Sequence, residues 1–419
     1  MKDKTKLQQD HTHETIIPLR FDQSYHFPVY FTRDLFSATN PLLIDTLAVK
    51  NQSQPRKIMV MIDDGVTREN PRLLNDIALW FEHHRDLVCP AWEPVIFPGG
   101  EQVKNSWGHV HRATKAMDDS GIDRHGVVIA LGGGALIDMV GFSASIFHRG
   151  IQLVRVPTTT LAQNDAGIGV KNGINQYGRK NCIGTFYLPA AVINDYRFLE
   201  TLPFEHFIGG VAEAFKIALI RDKSFFLFLE ENCALLKQRD SKAIEESIER
   251  CARLHIDHIS HSGDAFETGS SRPLDYGHWS AHKLEMLSGF TMGHGQAVSI
   301  GIALDSYYAW QLSLISRGDF DRIITALVNC GLPVWSRYLA TTDGAGRLEI
   351  ENGLEEFRQH LGGRLTFTMP DGIGQTCEHH AMDFHIIRQG VAFLKNTCCS
   401  FEKKEQDQPS GQTAVKLAR

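Results

Sequence analysis

Two stretches of this sequence carry groups able to hold a cation. DYGHWSAHKLE (275–285) places His278 and His282 four residues apart, on one face of a helix, and a third histidine follows in Gly293-His294-Gly295. In AEAFK (212–216), Glu213 and Lys216 stand three apart within an otherwise apolar run, where a carboxylate and an ammonium are costly unless paired or ligating. Two readings are open. One is a structural Glu–Lys pair beside ordinary helix histidines; the other is one carboxylate and two imidazoles forming a zinc set that leaves coordination positions for a substrate.

A second chemical signal lies in the glycine turns. GVVIALGGGALIDMVGF (126–142) reads as a buried strand, a three-glycine turn and a helix starting near Ala135. Glycines let the main chain approach a phosphate, and free N–H groups at a helix start favour the anion. A dinucleotide fits, although the turn is not GxGxxG. PGGEQVKNSW (98–107) adds Glu101 and Lys104 on a second glycine turn, and VPTTTLAQNDAG (156–167) sets hydroxyls after a third strand. Such groups at successive strand ends suit ribose and phosphate; surface capping is the plainer use of each.

The elements that must position these groups change character once along the chain. The β-type runs KIMVMID (57–63), PVIF (94–97), GVVIALGGG (126–134), LVRVP (153–157) and AAVIND (190–195) alternate with helical stretches, which implies a parallel sheet covered by helices. After Thr201-Leu202-Pro203 the runs lengthen to helical size, and β signals nearly vanish until GGRLTFTMP (362–370). The expected organisation is a mobile tail (1–20), an α/β domain (21–205), a mainly helical domain (206–401) and a second mobile tail (402–419).

Bulk properties narrow the class. A chain of 419 residues calls for two domains, and 42% apolar with 22% charged residues is ordinary for a folded protein. A net charge of −6 offers no field for gripping nucleic acid. No apolar run is long enough to cross a membrane, and the opening MKDKTKLQQDHTHET is too polar for a signal peptide. The expectation is a soluble, cytoplasmic protein. Eight cysteines without a CxxC read as free thiols.

The ordered motifs GGGALIDMVGF, RGI, VPTTTLAQNDAGIGVK, GRKN, TLP, AEAFK, GHWSAH and GHGQAV together resemble the dehydroquinate synthase superfamily, the sugar phosphate cyclases, over roughly residues 57–375. The resemblance implies a Rossmann-like NAD-binding α/β domain and a helical domain holding one divalent metal, zinc in preference to cobalt. By motif, the metal ligands are Glu213, His278 and His294, and Lys216, Asp165, Lys171 and Asn181 contact substrate. His282 falls near the leaving phosphate, and Arg149 of HRGI reaches the phosphate site of a neighbouring subunit, which implies a homodimer. The NAD positions are Asp63, with Asp64 beside it, Glu101, Lys104, Gly133, Gly134, Asp138, Thr158, Thr159 and Thr201.

Departures from the pattern bear on the substrate. Dehydroquinate synthases usually read LNFGH where this chain reads LDYGH, so an amide becomes the carboxylate Asp275. Their upstream lysine falls in HIDHISH (255–261), which has none, and their substrate arginine is displaced or replaced near Ser271-Arg272. A substrate carboxylate needs cationic partners, so these changes favour hydroxyls instead. RPLDYGHWSAHKLE and FRQHLGGRLTFT (357–368) are similar to the 2-epi-5-epi-valiolone synthase branch, which cyclises sedoheptulose 7-phosphate; one of Arg358, His360 and Arg364 would replace a phosphate-binding lysine. The implied reaction is transient oxidation by NAD, phosphate elimination, re-reduction and aldol closure. Three alternatives stand beside it: dehydroquinate synthase itself, an NAD- and metal-dependent polyol dehydrogenase, and a silent NAD-binding regulator. The last predicts missing ligands, whereas Glu213, His278 and His294 are all present.

Overall fold

A computed structural model describes residues 24–47, 54–261, 266, 273–360 and 365–406. Its first half is built on a parallel sheet of seven strands: β1 (Val29–Thr32), β2 (Arg56–Asp63), β3 (Val88–Pro90), β4 (Val95–Phe97), β5 (Val127–Gly132), β6 (Gln152–Pro157) and, after the hairpin described below, the strand Ala191–Asp195. The order is β1, Ala191–Asp195, β6, β5, β2, β3, with β4 also pairing β2. Strands covered on both faces read as unbroken apolar runs. In β2, Ile58, Val60 and Ile62 pack into the core on one face, and Met59 and Met61 into the core on the other. The five expected strands all form within a residue or two of their predicted bounds.

Between β6 and the last sheet strand, β7 (Lys171–Gln176) and β8 (Arg179–Phe186) form an antiparallel hairpin. It packs against helix α1 (Gly134–Ile146), which starts at the three-glycine turn.

The second half is helical apart from a small hairpin, Phe367–Pro370 with Thr376–His379. Helix α2 (Phe204–Arg221) is buried at every position from Phe207 to Ile220, so it is a central core helix rather than an amphipathic surface one. Against it lie α3 (Ser241–His261) and α5 (His294–Gln311), and α4 (His278–Leu287) packs on α5. Helices α2 and α5 meet main chain to main chain: a Cβ on Gly295 would fall 2.1 Å from the Gly209 carbonyl oxygen, a contact closed to any larger residue.

The division expected near residue 205 falls at the start of α2. The final helix runs Phe384–Gln406, so the C-terminal tail expected from residue 402 is corrected: its first five residues continue a helix. The N-terminal tail and residues 407–419 lie outside the described residues. All eight cysteines are free thiols, and among the described residues no helix is long and apolar enough to cross a membrane.

Candidate active site

Glu213 is carried in the middle of α2, His278 opens α4 and His294 opens α5. One ligand atom from each lies within 4.8 Å of the others. Glu213 Oε1 is 3.6 Å from His278 Nε2 and 3.3 Å from His294 Nε2. The far ring nitrogens are occupied: His278 Nδ1 lies 3.1 Å from the Tyr276 carbonyl oxygen and His294 Nδ1 3.2 Å from Glu285 Oε2. With each Nδ1 so engaged, both Nε2 atoms face Glu213 and are placed to give a lone pair to a cation; without one, burial opposes the His294 charge, but Glu285 and Glu213 outweigh it and raise the His294 pKa to about 9.

Glu213 is only 1% exposed and neither of its oxygens accepts a well-directed hydrogen bond, although Lys216 Nζ lies 2.5 Å from Oε2 as an ion pair. A buried carboxylate oxygen between two imidazole nitrogens is what a cation would complete, and two nitrogens with one oxygen suit zinc or cobalt with positions to spare. The structural-pair reading and the ligand reading are therefore compatible, since Lys216 takes one oxygen and the histidines face the other.

Charge inside the cluster is balanced. Burial opposes ionisation of Glu213, but the Lys216 ammonium and His278 hold its carboxyl below the usual range. Burial likewise works against the Lys216 charge, and Glu213 and Asp165 outweigh it, raising the ammonium's pKa. Asp165 is held down against its own desolvation by Lys216 and by His255, whose Nδ1 is 2.7 Å from Asp165 Oδ1. His282 stands one turn beyond His278, with ring centroids 5.5 Å from His278 and 6.1 Å from His294. Desolvation and the neighbouring His278 push its imidazole pKa well below the usual value.

A cleft of about 530 Å³ opens from this cluster toward the carboxyl ends of the sheet strands. Asp63, Glu101, Gly133, Gly134, Thr158, Thr159 and Thr201 line one side, and Glu285, Phe290, Met292 and His294 line the other. Asp63 rather than Asp64 faces it: Asp64 accepts from Gly99 N at 2.8 Å and pairs with Arg68 at 2.5 Å, whereas Asp63 caps the next helix through Gly65 N at 2.8 Å. Burial pushes the Asp63 carboxyl pKa up.

With that geometry in place, comparison with known proteins is decisive. Residues 94–209 match the 3-dehydroquinate synthase N-terminal family and residues 210–349 the 3-dehydroquinate synthase C-terminal family. The 3-dehydroquinate synthase of Campylobacter fetus subsp. fetus is 36% identical over 302 residues, 72% of this chain and 84% of that one. The chain belongs to the 3-dehydroquinate synthase family. Two solved structures extend the likeness. A 2-epi-5-epi-valiolone synthase from Streptomyces hygroscopicus subsp. jinggangensis, with NAD+ and Zn2+ bound, has a TM-score of 0.81 at 26% identity, covering 91% of this chain and all of that one. A 2-deoxy-scyllo-inosose synthase complexed with carbaglucose-6-phosphate, NAD+ and Co2+ has a TM-score of 0.69 at 21% identity, covering 86% and 96%, and shares the fold. The chain is thus a sugar phosphate cyclase of the dehydroquinate synthase family, with a Rossmann-like first half and a helical second half.

Of the expected residues, Asp63, Glu101, Gly133, Gly134, Thr158, Thr159, Thr201 and His294 line the cleft, and the others do not. Lys104 and Asp138 lie behind its wall as an ion pair of 2.6 Å, with Lys104 only 3% exposed and donating also to Asn181. Asn181 therefore joins this pair, in a left-handed conformation with φ of 52°. Lys171 is exposed at the start of β7, and Arg149 is exposed at the end of the turn that follows α1. Asp275 is half-buried three residues before His278, close enough for its charge to act on that ring. Arg358 is engaged by Glu355 at 2.6 Å, while the His360 side chain and Arg364 lie outside the described residues.

Sequence reasoning missed four participants: Glu285, Lys180, His255 and Asp305. Each is a single polar residue whose partner is distant in the chain. Asp305 accepts from Gly277 N at 2.9 Å and Trp279 Nε1 at 2.8 Å, gripping both sides of His278 and fixing the left-handed Gly277 turn, φ 77°. Burial pushes its carboxyl up to about 7. A carboxyl raised in the folded state contributes stability that is full below its unfolded value of about 4 and is lost as pH rises through about 7. Asp305→Asn removes this dependence, so the fall in melting temperature of metal-free protein between pH 4.5 and pH 8 is expected to shrink. Parallel pH profiles for the two proteins would contradict the assignment.

Proposed function

We propose that this cyclase takes sedoheptulose 7-phosphate, a ketose phosphate without a carboxylate, and forms 2-epi-5-epi-valiolone or an epimer with release of phosphate. The observation that carries the reading is Asp275, a carboxylate beside His278 at a position where dehydroquinate synthases usually have an amide. It accepts hydroxyl donors and repels a carboxylate. The likeness in fold and length to the valiolone synthase supports it.

Glu213, His278 and His294 would hold one divalent cation, zinc in preference to cobalt, and the cleft would hold NAD. When bound, the cation supplies Lewis acidity to a coordinated hydroxyl and NAD supplies reversible hydride acceptance. Asp63 and the hydroxyls of Thr158, Thr159 and Thr201 offer partners to ribose and phosphate oxygens, and the N–H groups at Gly133 and Gly134 favour the pyrophosphate. Glu101 lines the same wall, while Lys104 and Asp138 brace it from behind.

Lys216, kept charged between Glu213 and Asp165, donates to substrate oxygens and offsets negative charge. His282, neutral and one turn beyond His278, accepts the proton released next to the departing phosphate. Asp165 fixes orientation with Lys216, and Lys171 and Asn181 contribute from the β7–β8 hairpin. Arg149, exposed after α1, serves the phosphate site of a second copy in a homodimer.

The competing reading, dehydroquinate synthesis, is favoured by the names of the 31–39% identical relatives. Purified protein with catalytic NAD+ and zinc should release phosphate from sedoheptulose 7-phosphate, without net NADH, and not from the heptulosonate phosphate used by dehydroquinate synthase. Release from the second substrate alone would replace the proposed reading by the competing one.

A further inference from the structure

Glu285 lies seven residues after His278, two turns along the same face of α4, and its side chain is only 5% exposed. Both of its oxygens are committed, in opposite directions. Oε2 receives His294 Nδ1 at 3.2 Å, and Oε1 receives Lys180 Nζ at 2.9 Å. Lys180 comes from β8, on the sheet side of the cleft, where its ammonium also stands 3.8 Å from Glu101 Oε1 and 6.0 Å from the centre of the Phe290 ring. The two imidazoles of the cluster are thus oriented by different means. His278 Nδ1 is turned to a main-chain carbonyl two residues earlier in its own chain segment, whereas His294 depends on a side chain tied to the opposite half of the molecule.

We propose that Glu285 is the positioning residue of the metal centre, holding His294 with Nε2 toward Glu213, and that Lys180 holds Glu285 in turn, so that the β7–β8 hairpin tunes how tightly the cation is held. This rests on the reading of Glu213, His278 and His294 as ligands. A carboxylate on the remote N–H of a ligating imidazole fixes its tautomer and raises its basicity, and losing such a partner costs about 10–100-fold in metal affinity. A carboxylate that served only to tie the two halves together would leave metal affinity unchanged when neutralised.

The test is a competition titration of Zn2+ against a chromophoric chelator on metal-free protein, with the visible spectrum of the Co2+-loaded form as a second readout. Glu285→Gln is expected to weaken binding about 10-fold and Glu285→Ala toward 100-fold, both with an altered Co2+ band. Lys180→Met should weaken binding by a smaller factor in the same direction. Glu213→Ala, run alongside, should abolish binding. If Glu213→Ala loses the metal but Glu285→Gln binds it as tightly as the parent with an unchanged spectrum, the role of Glu285 is overturned alone. If Glu213→Ala still binds as the parent does, the ligand reading fails and takes this proposal with it.

Discussion

Glu213→Ala is expected to lose the metal and reduce phosphate release to background while NAD+ binds nearly as before. The carboxylate supplies the oxygen that both imidazoles face at 3.3 and 3.6 Å, and it lies on α2, away from the glycine turns lining the cleft. The substitution also strands Lys216, which is buried with Glu213 as its closest counter-charge. Breaking one side of a buried pair costs about 3–5 kcal/mol, so loss of activity alone would not separate ligation from stability. Glu213→Gln combined with Lys216→Met removes both charges and should recover much of that loss in thermal melting, yet remain metal-free by elemental analysis. Full metal content in either variant would show that Glu213 is not a ligand.

Asp275→Asn restores the amide usual in dehydroquinate synthases, and its effect should be read as a ratio. Turnover of sedoheptulose 7-phosphate is expected to fall about 10–100-fold in kcat/KM, the scale of one lost hydrogen bond to a charged group. Discrimination against the heptulosonate phosphate should relax as the repelling charge disappears. Because Asp275 also acts on the His278 ring, metal content must be measured in the same preparation. An unchanged kcat/KM for both substrates would mean that the carboxylate does not select.

How far the sequence alone reveals this molecule depends on how locally each feature is encoded. The central strands were legible because both faces of β2 and β5 are buried and their apolar runs are unbroken. The hairpin β7–β8 was not: KNGINQ and RKNCIGTF have no apolar run, and β8 alternates between exposed and half-buried positions. The continuation of the last helix was hidden for a related reason, since SFEKKEQ is mostly charged and polar and resembles a solvated tail.

In the site, the types and spacing of Glu213, His278 and His294 suggested a ligand set but could not bring α2 to α4 and α5; that needed the packing of three helices around one core. Asp63 and Asp64 were indistinguishable as letters. They separate only through the Gly99 and Arg68 contacts that turn Asp64 away. Glu285 and Lys180 are 105 positions apart, and no local pattern pairs them.

The glycine contact between α2 and α5 has a consequence for how such a catalyst can change. Where Gly209 and Gly295 touch, the gap between the element bearing Glu213 and the element bearing His294 is set by peptide atoms rather than by side-chain bulk. Residues outside this contact, Asp275 among them, can then be exchanged to suit a new sugar while the spacing of Glu213 and His294 keeps its dimensions. Diversification of this scaffold would proceed by redecorating the surroundings of its clasp rather than by rebuilding it.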